Sequence, residues 1–128
     1  MPLWSDYRKT AREREALAFE LYIVESSPAL APPEMLKLLP DHLAYQKQME
    51  ADGRLFLAGP LSDASGEEMS GGGMIVYRAA SMEEARALTE NDPMHKMGGR
   101  TFTLRKWLVN EGSLTLSVGF ANQSVSVN

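Results

Sequence analysis

The chain has 128 residues, of which 44% are hydrophobic and 23% charged, and this is enough for one domain with its own core. The absence of cysteine excludes disulfides, zinc–thiolate sites, iron–sulfur clusters and thiol nucleophiles, and it favours a cytoplasmic location. The formal net charge of -4 argues against nucleic acid as a partner, and no apolar run approaches the roughly 18 residues that span a bilayer. We therefore expect a cytoplasmic protein with neither nucleic acid nor membrane as a partner.

Apolar periodicity and helix-capping signals divide the chain into alternating strands and helices. The predicted elements, in chain order, are an N-terminal arm with a short helix (1–16), a strand (17–25), a proline-containing connector (26–39), a helix (40–52), a strand (54–61), a glycine-rich loop (62–73), a strand (74–79), a helix (81–90), a strand (101–109) and a C-terminal extension (112–128) with one extra strand and a polar tail. Residues 17–111 thus form the predicted domain.

Two short motifs set the predicted helix ends. Pro40 suits the first position of a helix and Gly53 its stop. The connector before Pro40 contains Pro28, Pro32 and Pro33 and is therefore expected to hold at most one helical turn. Ser81 and Glu84 have the spacing of a capping box, which predicts the start of the second helix of the domain.

The order strand, helix, strand, strand, helix, strand is that of an α+β ferredoxin-like βαββαβ fold, in which two helices cover one face of an antiparallel sheet. The strands carry apolar residues toward both faces, as in 55–57 and 74–77, so the second face also needs a cover. A second copy of the same sheet is the economical cover, and we expect a homodimer of the dimeric α+β barrel type, or a higher homo-oligomer.

Only two histidines are present, so histidine chemistry is confined to His42 and His95. His42 falls in the first turn of the predicted helix 40–52, where the helix N-terminus disfavours the imidazolium and leaves the ring able to accept a proton. Asp92 ends the second helix, where a carboxylate is unfavourable unless it has a partner such as His42. A histidine held by a carboxylate is a general acid/base unit, but the residues alone also fit a core histidine and a turn aspartate.

His95 and Asp63 also fit solvated loop residues. Together with His42 and Asp92 they supply two nitrogen and two oxygen atoms, so a metal site stays open, although no ligand-spacing motif supports one. The glycines at 71–73 lack the Lys-Ser or Lys-Thr of a phosphate loop, and the chain has no Gly-x-Ser-x-Gly motif.

Several short motifs in a fixed order resemble the YciI, or YCII-related, family. They are His42-Leu43-Ala44-Tyr45, Gly53 to Leu61 (GRLFLAGPL), Asp63, Ser81-Met82-Glu83-Glu84-Ala85, Asn91-Asp92-Pro93 and Trp107. The resemblance implies the ferredoxin-like domain paired into a dimeric α+β barrel. It also implies a site built on a histidine and the Asp-Pro aspartate, which here are His42 and Asp92. Gln46, Met94 and both terminal extensions depart from the family pattern.

The resulting hypothesis is a cofactor-free enzyme without a metal, a lyase or isomerase, that performs acid-base chemistry on a small cyclic or hydroxylated metabolite. Elimination, dehydrochlorination-like chemistry and isomerisation are the candidate reactions. The catalytic residues would be His42 and Asp92, and the residues predicted to bind the substrate are Gly59, Pro60, Asp63, His95 and Tyr45, with the loop 62–73 as a lid. Two alternatives stay open: a non-catalytic small-molecule-binding or accessory module, and an assembly protein that works through its extensions.

Overall fold

The computed structural model describes all residues, 1–128. Its elements are, in chain order, α1 (Trp4–Glu13), β1 (Phe19–Pro28), α2 (Pro32–Ala51), β2 (Leu55–Ser62), β3 (Met69–Tyr77), α3 (Met82–Asn91), α4 (Pro93–Lys96), β4 (Arg100–Val109), β5 (Leu116–Gly119) and β6 (Ser124–Val127). The chain divides into two compact units, one of residues 20–107 and one of residues 1–19 with 108–128.

The larger unit has the ferredoxin-like α+β fold that the order of elements predicted. The four strands are ordered β2-β3-β1-β4, and β3 pairs antiparallel with both β1 and β2. Consecutive strands β1 and β2 are not neighbours, because β3 lies between them. The split βαβ arrangement is confirmed.

The core lies between one face of the sheet and the two long helices. Its buried residues are Tyr22, Val24, Ile75, Tyr77 and Ala85. Met49 of α2 and Met82 and Leu88 of α3 pack against these residues. In β4, burial alternates along the strand, with residues 102, 104, 106 and 108 less exposed than 101, 103, 105 and 107.

The predicted start of the first long helix was wrong. Helix α2 begins at Pro32 rather than Pro40, so most of the predicted connector is helical and Pro40 lies inside the helix. Pro32 and Pro33 occupy the first two positions, where the missing N–H groups have no intrahelical acceptor. An interior proline removes one hydrogen bond, and here the helix continues through it.

The long loop predicted over 62–73 was also wrong. Strand β3 already begins at Met69, which pairs with Ser62, so only a short turn joins β2 to β3 and the glycines at 71–73 are part of the sheet. Gly71 has a positive φ of 85°, and a Cβ at this position would lie 3.2 Å from the Pro28 ring. Any other residue at this strand position would have a strained backbone conformation and a close contact with Pro28, and glycine avoids both.

The second helix of the domain begins as predicted. The Ser81 hydroxyl accepts a hydrogen bond from the Glu84 N–H at 3.0 Å, and the Glu84 carboxylate accepts one from the Ala80 N–H at 3.0 Å. The returning bond of this capping box thus reaches the residue before the cap.

The smaller unit contains α1 and a C-terminal β-hairpin. The one extra strand predicted after Gly112 is present as β5. The polar tail, for which no strand was predicted, forms a second strand, β6, which pairs with β5 from Leu116–Val127 to Gly119–Ser124. A segment as short as 124–127 forms a strand only when it can pair with an adjacent strand, which here is β5. None of the helices is both long and apolar enough to cross a membrane.

Candidate active site

A histidine and an aspartate from different helices meet beside the sheet. His42 lies inside α2, and Asp92 lies at the junction of α3 and α4. Asp92 is the N-cap of α4, where its carboxylate accepts a hydrogen bond from the Met94 N–H at 3.0 Å, and Pro93 occupies the first helical position. The Asp-Pro motif thus fixes the carboxylate on a rigid turn.

The two side chains form a close hydrogen-bonded pair. His42 Nδ1 lies 2.8 Å from both carboxylate oxygens of Asp92. The carboxylate only accepts hydrogen bonds, so Nδ1 carries the proton of the bond and Nε2 is the ring nitrogen left for a ligand. Asp92 is fully buried, and the His42 side chain is 15% exposed.

Two of the physical arguments by which the sequence analysis selected His42 and Asp92 need correction. His42 is not in the first turn of its helix, so a helix N-terminus does not act on its ring. Asp92 does end α3, but it also begins α4, whose N–H groups favour a negative charge. The carboxylate therefore has a backbone donor besides His42.

His42 lies on the wall of a cavity of about 300 Å³. The lining residues are Ser26, Leu39, His42, Leu43, Gln46, Gly59, Pro60, Met69, Gly71, Gly72, Gly73, Met74, Ile75, Met94 and Arg100. They include one arginine and one histidine but no aspartate or glutamate, and the others are mostly apolar or glycine. The cavity can therefore enclose a small, mainly apolar ligand that carries a few polar groups.

Arg100 holds a polar part of this wall. Its Nη1 donates to the Ser26 carbonyl at 3.2 Å and its Nη2 to the Gly71 carbonyl at 2.7 Å. Partial burial lowers the pKa of Arg100, while the Asp92 charge acts in the opposite direction. The guanidinium remains charged, since arginine does not lose its proton in proteins.

Next to Arg100, Ser26 and His95 form a second polar pair. The Ser26 hydroxyl lies 2.8 Å from His95 Nε2, and His95 Nδ1 lies 2.9 Å from the Thr89 carbonyl. A carbonyl only accepts, so Nδ1 bears the proton, and the Ser26 hydroxyl donates to Nε2. Burial lowers the pKa of His95, with the Thr89 bond and Asp92 acting against it, so the ring is neutral near pH 7.

The structure brings only some of the predicted substrate-binding residues to the cavity. Gly59 and Pro60 line it. His95 reaches it only through Ser26, and its ring borders a second cavity with Lys96 and Phe102. The ring of His95 also meets Phe102 edge to face, with 5.0 Å between the centroids.

Tyr45 and Asp63 lie elsewhere. The Tyr45 hydroxyl donates to the Leu88 carbonyl at 2.6 Å and so joins α2 to α3, and burial, with a smaller effect of Asp92, raises the pKa of Tyr45 to about 12. Asp63 caps the β2–β3 turn, where hydrogen bonds from Ser65, led by the side chain, lower its pKa. Neither residue lines the cavity.

The prediction from sequence missed Ser26 and Arg100. Both follow the alternation of their strands, because Ser26 shares a face with Tyr22 and Val24, and Arg100 shares one with Phe102. A polar residue at a core-facing position of a strand needs a hydrogen-bond partner nearby in space. The presence of Ser26 and Arg100 at such positions was the signal in the sequence that could have identified them. No three His, Cys, Asp or Glu side chains are grouped so that they could hold a metal ion.

Comparison with known proteins places this geometry in context. The sequence model of the YCII-related domain matches residues 18–107. The uncharacterized protein YjpA of Bacillus subtilis (strain 168) is 33% identical over 66 residues, which are 52% of this chain and 71% of that protein. The solved structure of 5-chloro-2-hydroxyhydroquinone dehydrochlorinase (TftG) from Burkholderia phenoliruptrix, a complex with 2,5-dihydroxybenzoquinone, has a TM-score of 0.51 and 22% identity, and the match covers 68% of this chain and 92% of that one. This likeness shows a common fold.

Proposed function

The chain belongs to the YCII-related domain family, and from this premise we propose that it is a cofactor-free enzyme that performs acid-base chemistry on a small cyclic or hydroxylated metabolite. The observation that carries the proposal is the pair of His42 and Asp92 on the wall of a ligand-sized cavity. A histidine with one nitrogen held by a carboxylate and the other free is the general-base arrangement of many enzymes.

In the proposed reaction, Nε2 of His42 takes a proton from a carbon or hydroxyl of the substrate. The buried carboxylate of Asp92 then stabilises the imidazolium, which lies within hydrogen-bond distance of it. In an elimination, the electron pair of the broken bond forms the new double bond as the leaving group departs with its own pair. In an isomerisation, the imidazolium returns the proton to another atom of the substrate.

The size and chemistry of the cavity support a small substrate. About 300 Å³ is at the lower end of the range for ligand pockets and suits a compound with a single ring. Gly59 and Pro60 would contact the substrate with backbone and ring atoms. Ser26, with His95 behind it, would give the wall a hydrogen-bonding group.

Among acid-base reactions, elimination receives additional support. TftG, which shares the fold, is by name a dehydrochlorinase, and its structure holds a dihydroxybenzoquinone. The loss of hydrogen chloride from a hydroxylated ring needs a base for the proton, and His42 fits this role. We therefore place a lyase reaction ahead of an isomerase reaction.

A cytoplasmic homodimer completes the proposal. Strands β2 and β4 expose large apolar side chains, with Phe56 37%, Leu57 59%, Leu61 41% and Trp107 42% exposed. Burial of these side chains against a second copy would be favourable, because it removes apolar area from water. Size-exclusion chromatography with light scattering would give twice the mass of 14.2 kDa for a dimer.

The decisive experiment measures turnover of a panel of chlorinated and unchlorinated hydroxyhydroquinones, with chloride release and ring absorbance as readouts. We expect His42→Gln to lower the rate about 10²–10⁴-fold and Asp92→Asn to lower it as well. Asp41→Asn is the matched control, because Asp41 is exposed and adjacent in sequence. Full turnover in His42→Gln would reject the base, and saturable binding without any product would favour the binding-module alternative.

A further inference from the structure

Arg100 is the only lysine or arginine that lines the cavity, and no carboxylate lines it. We propose that Arg100 binds an oxyanion of the substrate, so that the ligand is a small ring compound carrying a carboxylate or an ionised ring hydroxyl. This inference rests on the proposed function, because it assigns the substrate class of the same cavity.

The hydrogen bonds of Arg100 direct its guanidinium to this cavity. The side chain borders two cavities, one with His42 and one with His95. Its two acceptors, the Ser26 and Gly71 carbonyls, belong to residues that line the first cavity and not the second. The charged end of Arg100 therefore lies on the side of His42.

Arg100 forms no ion pair with a carboxylate of the protein, and its hydrogen bonds go to the Ser26 and Gly71 carbonyls. Other arginines form ion pairs with carboxylates: Arg14 with Glu111, Arg54 with Glu84 and Arg105 with Glu25. Arg100 has only neutral carbonyl acceptors, although its site is less exposed than that of Arg105. The carboxylate that acts on it electrostatically, Asp92, is fully buried and already bonded to His42. A partly desolvated cation is stabilised by an anion, and the cavity is where an anion can enter.

The guanidinium also keeps donors for a ligand. It has five N–H groups, and one from Nη1 and one from Nη2 are used by the carbonyls, which leaves three. A carboxylate can accept two of these in a bidentate pair, and an ionised hydroxyl can accept one or two. The two carbonyl bonds hold the fork in place before the ligand arrives, which lowers the entropy lost on binding.

Such a contact would also act in the reaction. His42 and Arg100 line the same cavity, so an oxyanion held by Arg100 would keep the ring of the substrate within this enclosed space. When His42 removes a proton, negative charge develops on the ring and its oxygens, and the fixed cation would stabilise it.

Benzoate and benzyl alcohol test the inference, because both have one ring and only the first is charged. In isothermal titration calorimetry at neutral pH and low salt, we expect wild type to bind benzoate about tenfold or more tightly than benzyl alcohol. Arg100→Gln should abolish this preference, and Arg100→Lys should retain part of it. Arg105→Gln, an exposed arginine on the same strand, is the matched control and should keep the full preference.

Further measurements define the results that would overturn the inference and distinguish the two kinds of oxyanion. Equal affinity for the two compounds, no saturable benzoate binding to wild type, or an unchanged preference in folded Arg100→Gln would each overturn the inference. If Arg100→Gln does not fold, a benzoate preference that is smaller in Arg100→Lys than in wild type and Arg105→Gln supports the inference, and an undiminished preference in Arg100→Lys overturns it. Comparison of benzoate with 4-nitrophenolate at alkaline pH tells a carboxylate site from a site for ionised hydroxyls. His42→Gln should keep the benzoate preference, so full turnover in that variant would reject the proposed base without touching the anion site.

Discussion

The carboxylate of Asp92 accepts hydrogen bonds from two directions, from Nδ1 of His42 at 2.8 Å and from the Met94 N–H at 3.0 Å. The backbone bond fixes the orientation of the carboxylate, and the carboxylate in turn fixes which ring nitrogen of His42 bears the proton. The acid-base chemistry proposed for this cavity depends on that second effect, because only the other nitrogen can act as a base.

The tautomer of His42 is therefore the first prediction. In wild type, ¹⁵N NMR of the neutral His42 ring should show the proton on Nδ1, since a carboxylate cannot donate. Asp92→Asn keeps the N-cap, because asparagine caps helices well, but its amide can donate as well as accept. We expect a mixture of tautomers in this variant and no change in Asp41→Asn. An unchanged tautomer in Asp92→Asn would show that the carboxylate does not determine which ring nitrogen of His42 bears the proton.

The fold was largely predictable because periodicity and caps are local signals. The alternation of β4 and the capping box at Ser81 specify their elements without knowledge of the rest of the chain. The pairing of His42 with Asp92 was not in the spacing, because 50 positions separate the residues. The unfavourable position of a carboxylate at a helix end suggested the pair, the resemblance to a family supported it, and the structure gives the distance of 2.8 Å.

The parts that were not predictable depend on tertiary contacts. Gly99, directly before β4, shows this. A Cβ at Gly99 would lie 2.5 Å from Leu38 Cδ1, so α2 packs closely against this point of the chain. Local rules had placed Leu38 in a connector rather than in a helix. Ser26 and Arg100 lie at core-facing positions of their strands and acquire partners from segments far away in sequence, namely His95 and Gly71. Local rules cannot locate such partners.

His95 gives the second prediction, on the pH dependence of stability. In the unfolded chain, a histidine takes up a proton near pH 6.5, whereas burial lowers the pKa of His95 in the folded protein. Between these two values the unfolded state binds more protons, so the stability present above about pH 6.5 decreases as the pH falls through this window. Urea unfolding at about pH 7 and about pH 5 should therefore show a smaller loss in His95→Gln than in wild type. An equal loss in both proteins would contradict the burial of a neutral ring.

Pro40 gives the third prediction. It lies inside α2 and lacks the N–H that would bond to the Leu36 carbonyl, and an interior proline also crowds the preceding turn. Proline restricts the unfolded chain by about 0.4–1 kcal/mol, which offsets part of this cost. Pro40→Ala should raise the free energy of unfolding by about 1–2 kcal/mol. Pro33→Ala at the helix start is the control and should give little gain, because no bond is missing there. Equal effects of the two variants would argue against an interior position for Pro40.

Tyr77, which is buried, and Tyr45, which is half-buried, give the last prediction, because only one of their hydroxyls has a hydrogen-bond partner. The hydroxyl of Tyr77 is buried without a hydrogen-bond partner, and burial raises its pKa, whereas the hydroxyl of Tyr45 donates to the Leu88 carbonyl at 2.6 Å. An unpaired buried hydroxyl costs free energy, and a paired one contributes about 1 kcal/mol. Tyr77→Phe should therefore raise the midpoint of urea unfolding or leave it unchanged, and Tyr45→Phe should lower it. A large destabilisation by Tyr77→Phe would mean that a water or a ligand group pairs with this hydroxyl in solution.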